Sequence, residues 1–226
     1  MMNDRPDLAL IFDLDGTLLD SVYHHTLAWA HALDEASVVV PLWRLHRKIG
    51  MGGSLFTRAL LRELGQAPDA GLADRLREAH GRHYRAMRDQ IRPLPGAGEL
   101  LAEVVAAGCA TAVATSSPKR NLDGLYEQLA PPSAVRLVTA DDVAAAKPSP
   151  ALFQVAMAQL ACAPGDCLVV GDSVWDVLAA RRAGALAIGL RCGGYGDDEL
   201  TRAGACRLYD DPAHLRKHLH ELGIQG

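Results

Sequence analysis

Residues 9–21 read ALIFDLDGTLLDS, and this stretch decides how the rest of the chain is interpreted. Its apolar beginning leads into two aspartates, Asp13 and Asp15, which are separated by one residue and followed by Gly16 and Thr17. Residues two apart in an extended segment point the same way, so both carboxylates are expected to converge at a strand end. Such like charges repel unless a cation lies between them, and Mg²⁺ prefers oxygen ligands. Taken alone, the stretch also fits an ordinary Asp-Gly turn.

Four further apolar runs repeat the pattern of the first one, which covers residues 8–12. They lie at residues 109–114, 135–139, 167–170 and 185–190, and each is followed by polar residues or glycine. Uninterrupted runs rich in Val, Ile and Leu are typical of parallel strands that are buried on both faces. Helix-compatible stretches lie between the runs, so we predict an α/β fold with a mainly parallel sheet.

One connection is far longer than an ordinary crossover between strands. About 95 residues separate the first two apolar runs, and apolar side chains recur there at helical spacing, as at Trp29 and Leu33. We therefore predict a helical insertion over residues 21–92. The core is then formed by residues 1–20 and 93–226, and the two short connections between the parts are expected to act as a hinge.

Composition excludes several classes of protein. With 226 residues, 49% of them hydrophobic and 22% charged, the chain is predicted to be globular rather than disordered. The net charge of −4 and the absence of a basic stripe argue against nucleic-acid binding. The N-terminal residues lack a signal-peptide pattern, and no apolar run is long enough to span a membrane.

The cysteines suggest where in the cell the protein works. The scattered cysteines, without a CxxC pair, are interpreted as reduced thiols in small core spaces of a cytoplasmic protein. They are Cys109, Cys162, Cys167, Cys192 and Cys206.

Residues 40–92 hold 11 Lys/Arg against 5 Asp/Glu. This excess indicates either a solvated helical surface or a basic module that faces an acidic site.

A second pair of acids follows another apolar run. Residues 169–176 read VVGDSVWD, in which Asp172 follows a glycine and Asp176 lies four residues later. In parallel sheets, ligands bind outside the carboxyl ends of the strands. These acids are therefore expected to join Asp13 and Asp15 in one crevice.

Hydroxyl groups and one lysine complete the predicted site. The run that reads AVATSS ends in Thr115, Ser116 and Ser117, with a helix expected to follow. A threonine side chain and nearby backbone N–H groups there suit a phosphate. Lys147 lies in the apolar stretch AAAKPSP, where it is either a phosphate ligand or an ordinary surface lysine.

Taken in this order, DLDGT, AVATSS, Lys147 and GDSVWD resemble the four motifs of the haloacid dehalogenase superfamily. The resemblance covers nearly the whole chain, including the insertion after the first motif. It implies a Rossmann-like, doubly wound core with an inserted helical cap. It is closest to the branch that contains phosphoglycolate phosphatases and β-phosphoglucomutases.

The resemblance implies a catalytic role for each motif. Asp13 is expected to attack phosphorus and form an aspartyl-phosphate, while Asp15 acts as general acid and then as general base. Mg²⁺ is expected to be held by the Asp13 carboxylate, the backbone carbonyl of Asp15 and Asp172. Lys147 is the expected phosphate ligand, and Asp176 is expected to orient it or to hold metal-bound water.

The remaining expected phosphate contacts follow from the same resemblance. Thr115 is paired with Lys147 in this role, and the neighbouring Ser116 and Ser117 are included with it. Gly16 and Thr17, which follow the catalytic aspartates, complete this set. Because halide leaves without a proton, an acid at position 15 favours phosphoryl chemistry over dehalogenation.

The insertion contains the expected substrate-reading elements. HHTLAW resembles the mutase branch, which suggests that His25 assists a substrate hydroxyl; alternatively, Trp29 is core and the histidines flank a helix. The loop RKIGMGGS, with Gly52 and Gly53, resembles the cap loop that reads substrate. The mutase branch carries an arginine where Gly53 stands, so the phosphatase branch is the closer comparison.

Three functions follow from these expectations. The first is a Mg²⁺-dependent phosphatase that acts on a small phosphorylated metabolite, as a monomer or a homodimer. The second is a sugar-phosphate mutase. The third is a phosphate-binding protein without catalytic activity, which the complete set of motifs disfavours.

Overall fold

A computed structural model describes residues 8–65 and 70–225, and within them six strands form one sheet. The strands are β1 (Ala9–Phe12), β2 (Ala110–Ala114), β3 (Arg136–Val138), β4 (Cys167–Gly171), β5 (Leu186–Leu190) and β6 (Ala205–Tyr209). Their spatial order is β3-β2-β1-β4-β5-β6, and every pair is parallel. The predicted fold class, a doubly wound α/β core, is confirmed.

Nine α-helices lie in the described part of the chain. They are α1 (Val22–Glu35), α2 (Leu42–His46), α3 (Gly53–Glu63), α4 (Ala70–Ala86), α5 (Ala97–Ala106), α6 (Ala151–Leu160), α7 (Val174–Ala183), α8 (Asp197–Ala203) and α9 (Pro212–Lys217). Residues 1–7 and 226 of the predicted core, and residues 66–69 of the predicted insertion, lie outside the described residues. None of the described helices is long and apolar enough to cross a membrane.

The sheet has a core on each face because successive strand residues point to opposite sides. In β1, Leu10 and Phe12 pack into one apolar cluster, and Ala9 and Ile11 pack into another. All four side chains are fully buried. The apolar run that predicted this strand therefore packs against the helices on both faces of the sheet.

The insertion has an apolar cluster of its own. Trp29, Leu33, Phe56, Leu60 and Leu76 are buried together. They come from α1, α3 and α4, which pack against one another. Within the described residues, no strand of the six-stranded sheet comes from residues 21–92. The division into core and cap remains a proposal that these observations support.

Strand β6 is not among the predicted strands. Its residues Cys206 and Arg207 are exposed, while Ala205 and Tyr209 are buried. This strand lies at the edge of the sheet and pairs only with β5 among the described strands. Its sequence contains no uninterrupted apolar run, because an edge strand keeps polar side chains on its open side.

The prediction of five reduced, core-filling cysteines is wrong. Cys162 and Cys167 form a disulfide. A short turn at Pro164–Asp166 folds the chain back between α6 and β4, which brings the two side chains together. Cys206 is exposed, so it fills no core space. The local turn, which cysteine spacing alone does not reveal, explains the difference.

Candidate active site

Asp13 lies directly after β1, where the strand order of the sheet reverses direction. β1 pairs with β2 on one side and β4 on the other, and the Asp13 backbone N–H donates to the Val170 carbonyl (2.8 Å). The Asp13 side chain is buried. This is the crevice at which doubly wound sheets bind ligands.

Gly16 allows the chain to turn sharply after the two aspartates. It has φ +87°, a backbone conformation that residues with a side chain rarely adopt. A Cβ at this position would lie 2.5 Å from Oδ2 of Asp172. Thr17, the next residue, donates its hydroxyl to Oδ1 of Asp172 (2.9 Å). The turn therefore packs β1 against the acid that follows β4.

Lys147 is a buried cation that joins two of the aspartates. Its ammonium forms ion pairs with Asp13 and with Oδ1 of Asp176, the latter at 2.7 Å. Burial alone would lower the pKa of Lys147, but the two carboxylates raise it above its usual value. The alternative of an ordinary surface lysine is wrong, because Lys147 is only 1% exposed.

Replacing Lys147 by Met is expected to destabilise the metal-free protein. The change keeps most of the buried volume but leaves Asp13 and Asp176 without their cation. Breaking a buried ion pair in this way costs roughly 3–5 kcal/mol. Urea unfolding in EDTA should show the loss, whereas Lys119→Met, at an exposed lysine, should leave the free energy of unfolding nearly unchanged. Equal stability of both variants would contradict the assignment.

Three carboxylates gather behind the ion pair. Oxygen atoms of Asp13, Asp172 and Asp176 lie within 4.8 Å of one another, and all three residues are buried. Burial raises the pKa of Asp13 to about 7, against the opposing effect of Lys147. Burial and the charges of Asp176 and Asp13 raise the pKa of Asp172 well above its usual value. Oxygen-rich, mutually repelling acids of this kind suit a hard divalent cation.

Asp176 also fixes the helix that follows the second acid. Ser173 and Asp176 form a capping box at the start of α7, with reciprocal side-chain and backbone hydrogen bonds. Gly171 leaves room for it, because a Cβ there would lie 2.3 Å from the Asp176 Cβ. The carboxylate that pairs with Lys147 therefore comes from the first turn of α7.

Asp15 accepts hydrogen bonds from three hydroxyl groups of the core. Ser21 Oγ donates to Oδ1 (2.7 Å), while Ser117 Oγ (2.8 Å) and Thr115 Oγ1 (3.1 Å) donate to Oδ2. These contacts hold the side chain away from the three-acid cluster. The two aspartates of the opening motif thus face different partners.

Two residues of the insertion also contact Asp15. Nε2 of His25 lies 3.1 Å from Oδ1, and the Tyr84 hydroxyl donates to the same oxygen at 3.2 Å. Burial alone would raise the pKa of Asp15, but His25 and the hydroxyl donors hold it well below its usual range. In this arrangement Asp15 is an ionised carboxylate.

His25 belongs to a stack of aromatic rings between α1 and α4. Its ring lies on Tyr84 (centroids 3.9 Å apart), and its Nδ1 is 3.1 Å from Nε2 of His80. Burial lowers the pKa of His80 well below its usual value. Trp29 stacks on His80 and on Phe56. Trp29 is therefore a core residue, as the second interpretation of HHTLAW predicts. His25 nevertheless contacts Asp15 in the candidate site.

A cavity of about 280 Å³ opens over these groups. Several residues predicted from the sequence line it, namely Asp13, Asp15, His25, Gly52, Gly53, Ser116, Ser117 and Lys147. Gly16, Thr17, Thr115, Asp172 and Asp176 lie behind its wall, outside the set of lining residues. The volume suits a small ligand, since sites for larger molecules span roughly 300–1,000 Å³.

The hydroxyls after β2 differ from the expected arrangement. Thr115, the predicted phosphate ligand, is fully buried and bonded to Asp15. The buried Oγ of Ser116, by contrast, has no hydrogen-bond partner in the described structure and lies on the cavity wall. The segment continues as a 3₁₀ turn, Lys119–Asn121, instead of the expected helix.

The glycine-rich loop of the insertion lies against the core beside the same cavity. A Cβ on Gly52 would lie 2.2 Å from that of Ala146, and one on Gly50 would lie 2.5 Å from the Ser173 Oγ. Residues 50–53 and Asp13 line the same cavity. Other wall residues, including Arg77, His80 and Arg120, are absent from the predicted site. The one sequence signal for them is the helical spacing of Arg77, His80 and Tyr84, which places these residues on a shared face of α4.

Comparison with known proteins identifies the class. Residues 8–184 match the family of haloacid dehalogenase-like hydrolases. A phosphoglycolate phosphatase of Agrobacterium fabrum is 32% identical over 97% of this chain and 96% of its own. A β-phosphoglucomutase of Bacillus subtilis is 28% identical over 80% and 82%. The crystal structure of a hydrolase from Pseudomonas syringae superposes with a TM-score of 0.92 at 43% identity, covering 95% and 99%.

The chain belongs to the haloacid dehalogenase-like hydrolases. The family predicted from the four motifs is therefore confirmed. The prediction that the chain is an enzyme, a phosphatase of this family, is also confirmed by the family match together with its phosphatase relatives. The third possibility, a non-catalytic binding protein, is set aside.

Proposed function

We propose that this enzyme is a Mg²⁺-dependent phosphatase that hydrolyses a small organic phosphate monoester through an aspartyl-phosphate. The observation that carries the proposal is the position of Asp13. It lies on the cavity wall, in an ion pair with Lys147, and it shares a cluster of oxygens with Asp172. A nucleophile, its charge partner and metal-binding acids thus meet at one strand end.

Asp13 is the proposed nucleophile: its carboxylate forms an acyl phosphate as the P–O bond of the substrate ester breaks, which divides one difficult displacement into two. Lys147 and the free hydroxyl of Ser116 are placed to hold phosphate oxygens beside it. Thr115, Gly16 and Thr17 are proposed to act on the phosphate through the aspartates. Thr115 positions Asp15, and the turn formed by Gly16 and Thr17 positions Asp172.

Asp15 is the proposed general acid and base. Its ionised state is the one required of a base toward the water that cleaves the aspartyl-phosphate. The acid step requires a proton on the same carboxylate. A substrate that displaces His25 or Ser117 from Asp15 would raise the pKa of Asp15 and favour that form.

The proposed metal ligands are the Asp13 carboxylate, the backbone carbonyl of Asp15 and Asp172, with Asp176 in support. The buried acid cluster fits such an ion. When bound, Mg²⁺ supplies charge neutralisation at the phosphoryl oxygens. The chain's own contribution is to hold three buried acids together at one crevice.

Residues 21–92 form the proposed cap. Its two connections to the core run side by side, with the Asp20 N–H bonded to the Arg92 carbonyl (2.9 Å). A hinge there would let the cap open for substrate and close against water. Hydrogen exchange at residues 50–53 is expected to slow when Mg²⁺ and inorganic phosphate are added. Unchanged exchange would contradict cap closure.

A sugar-phosphate mutase is the second candidate. The contact of His25 with Asp15 favours it, because the mutase branch carries a histidine at this distance from the first motif. Gly53, which stands where that branch carries an arginine, argues against it. The protein is proposed to work in the cytoplasm, as a monomer or homodimer.

A screen of phosphorylated metabolites distinguishes the two candidates. Purified protein with Mg²⁺ is expected to release inorganic phosphate from at least one small monoester. Conversion of a hexose 1-phosphate to its 6-phosphate without phosphate release would identify a mutase instead. The Asp13→Asn variant serves as the blank for contaminating phosphatases.

A further inference from the structure

A short segment of the insertion is attached to the core beside the cavity. It consists of His46, the last residue of α2, and Arg47, which follows it. Nε2 of His46 lies 3.0 Å from the Gly193 carbonyl. The Arg47 carbonyl accepts hydrogen bonds from the Tyr195 hydroxyl (3.0 Å) and from Nε1 of Trp175 (3.3 Å). Carbonyl groups at a helix C-terminus lack partners within the helix, and here the core supplies the donors.

The side chain of Arg47 adds an ion pair and a ring contact to this attachment. Its guanidinium forms two hydrogen bonds with the Glu199 carboxylate, one of them from Nη1 to Oε2 at 3.3 Å. It also lies over the ring of Tyr195, 4.2 Å from the centroid. An exposed ion pair alone contributes little to stability. A guanidinium that bonds a carboxylate in pairs and also stacks on an aromatic ring is held in one orientation.

The core side of the attachment is packed on the catalytic crevice. A Cβ on Gly193 would collide with Oδ2 of Asp172, so the backbone of this loop lies directly on that acid. The thiol of Cys192 donates to the Gly16 carbonyl (3.1 Å). The loop that receives His46 is therefore fixed to the same turn and the same acid that form the candidate site.

The attachment also borders the glycine-rich loop of the insertion. Three residues after Arg47 the chain enters residues 50–53, which line the cavity, whereas Arg47 itself does not. A Cβ on Gly50 would lie 3.1 Å from Cδ1 of Trp175, the same indole that donates to the Arg47 carbonyl. Trp175 thus contacts both ends of the segment 47–50. The position of this cavity wall therefore depends on how Arg47 is held.

We propose that Arg47 is a positioning residue, whose ion pair with Glu199 holds residues 50–53 in place as a wall of the cavity. Arg47 acts through this loop and does not touch the reacting atoms. The inference rests on the proposed cap and phosphatase function, and it assigns the contact that keeps the cap docked to one pair of residues. Breaking the pair should loosen the loop, while Asp13 and Lys147 keep their own contacts.

Hydrogen exchange of the free protein tests the attachment. Arg47→Met, which keeps an aliphatic stem over Tyr195, is expected to speed exchange of residues 46–53 roughly 5- to 30-fold. Exchange in β4 should stay at the wild-type rate, because the opening is local. Arg44→Met is the matched control and should change neither rate. Arg44 is exposed on α2, and its guanidinium lies over Trp43 of the same helix.

A double-mutant cycle tests whether Glu199 is the partner through which Arg47 acts. Glu199→Gln keeps the shape of the side chain and should reproduce most of the Arg47→Met effect. The double variant should exchange no faster than Arg47→Met alone, because both changes break one contact. Arg47→Lys should retain part of the protection. Asp198→Asn, at an exposed neighbour on α8, should leave exchange unchanged.

Steady-state kinetics with 4-nitrophenyl phosphate and Mg²⁺ test the consequence for the site. Arg47→Met is expected to raise KM roughly 3- to 10-fold and to leave kcat within about twofold, because the cavity wall moves while Asp13 does not. Arg47→Lys should lie between Arg47→Met and the wild type in KM, and Arg44→Met should match the wild type.

Two results would overturn the assignment. Wild-type exchange at residues 46–53 in Arg47→Met, or additive effects in the double variant, would show that the ion pair does not hold the loop. A loss of kcat with an unchanged KM would show that Arg47 does not act through the cavity wall. If the wild type hydrolysed no ester, the phosphatase proposal would fail instead, and the exchange rates would still decide whether the Arg47–Glu199 pair holds the loop.

Discussion

Asp13→Asn is expected to reduce phosphatase turnover by at least about 10⁴-fold on every substrate the wild type accepts. The amide preserves the shape of the side chain but is a poor nucleophile, and it removes the charge that faces Lys147. The loss should appear in kcat, because the covalent step itself is blocked.

The matched control for this variant is Asp20→Asn. Asp20 is exposed and lies seven residues further along the same segment, so the same chemical change should leave turnover near the wild-type value. Circular dichroism should show that both variants are folded. Wild-type turnover by Asp13→Asn would refute the assignment of Asp13 as nucleophile.

Asp172→Ala is expected to abolish activity through loss of the metal ion. Asp172 is one of the three clustered acids, so its removal leaves too few oxygens to hold Mg²⁺ firmly. In the wild type, EDTA should remove activity, and Mg²⁺ should restore it. Ca²⁺ should substitute poorly, because it prefers longer bonds and more ligands, which would misplace Asp13 for in-line attack.

A readout without turnover separates metal loss from unfolding. Ligands that bind only the folded state raise the melting temperature, so Mg²⁺ should raise that of the wild type. It should leave Asp172→Ala unaffected, and the exposed control Asp166→Ala should respond as the wild type does. A Mg²⁺-induced rise in Asp172→Ala, or full wild-type activity in excess EDTA, would argue against this metal site.

Much of the core could be predicted because its signals are local. The buried strands β1, β2, β4 and β5 are apolar runs, since both of their faces are covered. Acids that follow such runs must come to the carboxyl edge of a parallel sheet. Asp13 and Asp172 therefore meet for a reason that is readable from chain order alone. The edge strand β6, half exposed, offers no such run.

The cap side of the site was less predictable. Arg77 and Tyr84 look like ordinary surface and core residues of an amphipathic helix. Their place on the cavity wall or beside Asp15 depends on how α4 docks against α1 and the core, which no spacing along one helix encodes. Likewise, AVATSS offers three adjacent hydroxyls, and only the path of the chain after β2 decides that Ser116 and Ser117 line the cavity while Thr115 is buried against Asp15.

The sequence by itself determined the family through its four motifs, and the parallel sheet with aspartates after two of its strands, because these follow from residue type and chain order. The burial of Lys147 between Asp13 and Asp176 was left open by the sequence. Tertiary structure alone decided which partners those groups have. His25 and Tyr84 meet at Asp15 although 59 positions separate them along the chain, and Cys162 bonds Cys167 across a turn. Such contacts depend on the docking angles of helices and on the paths of loops. Those are set by packing over the whole molecule, because no single segment contains the surfaces that fit together.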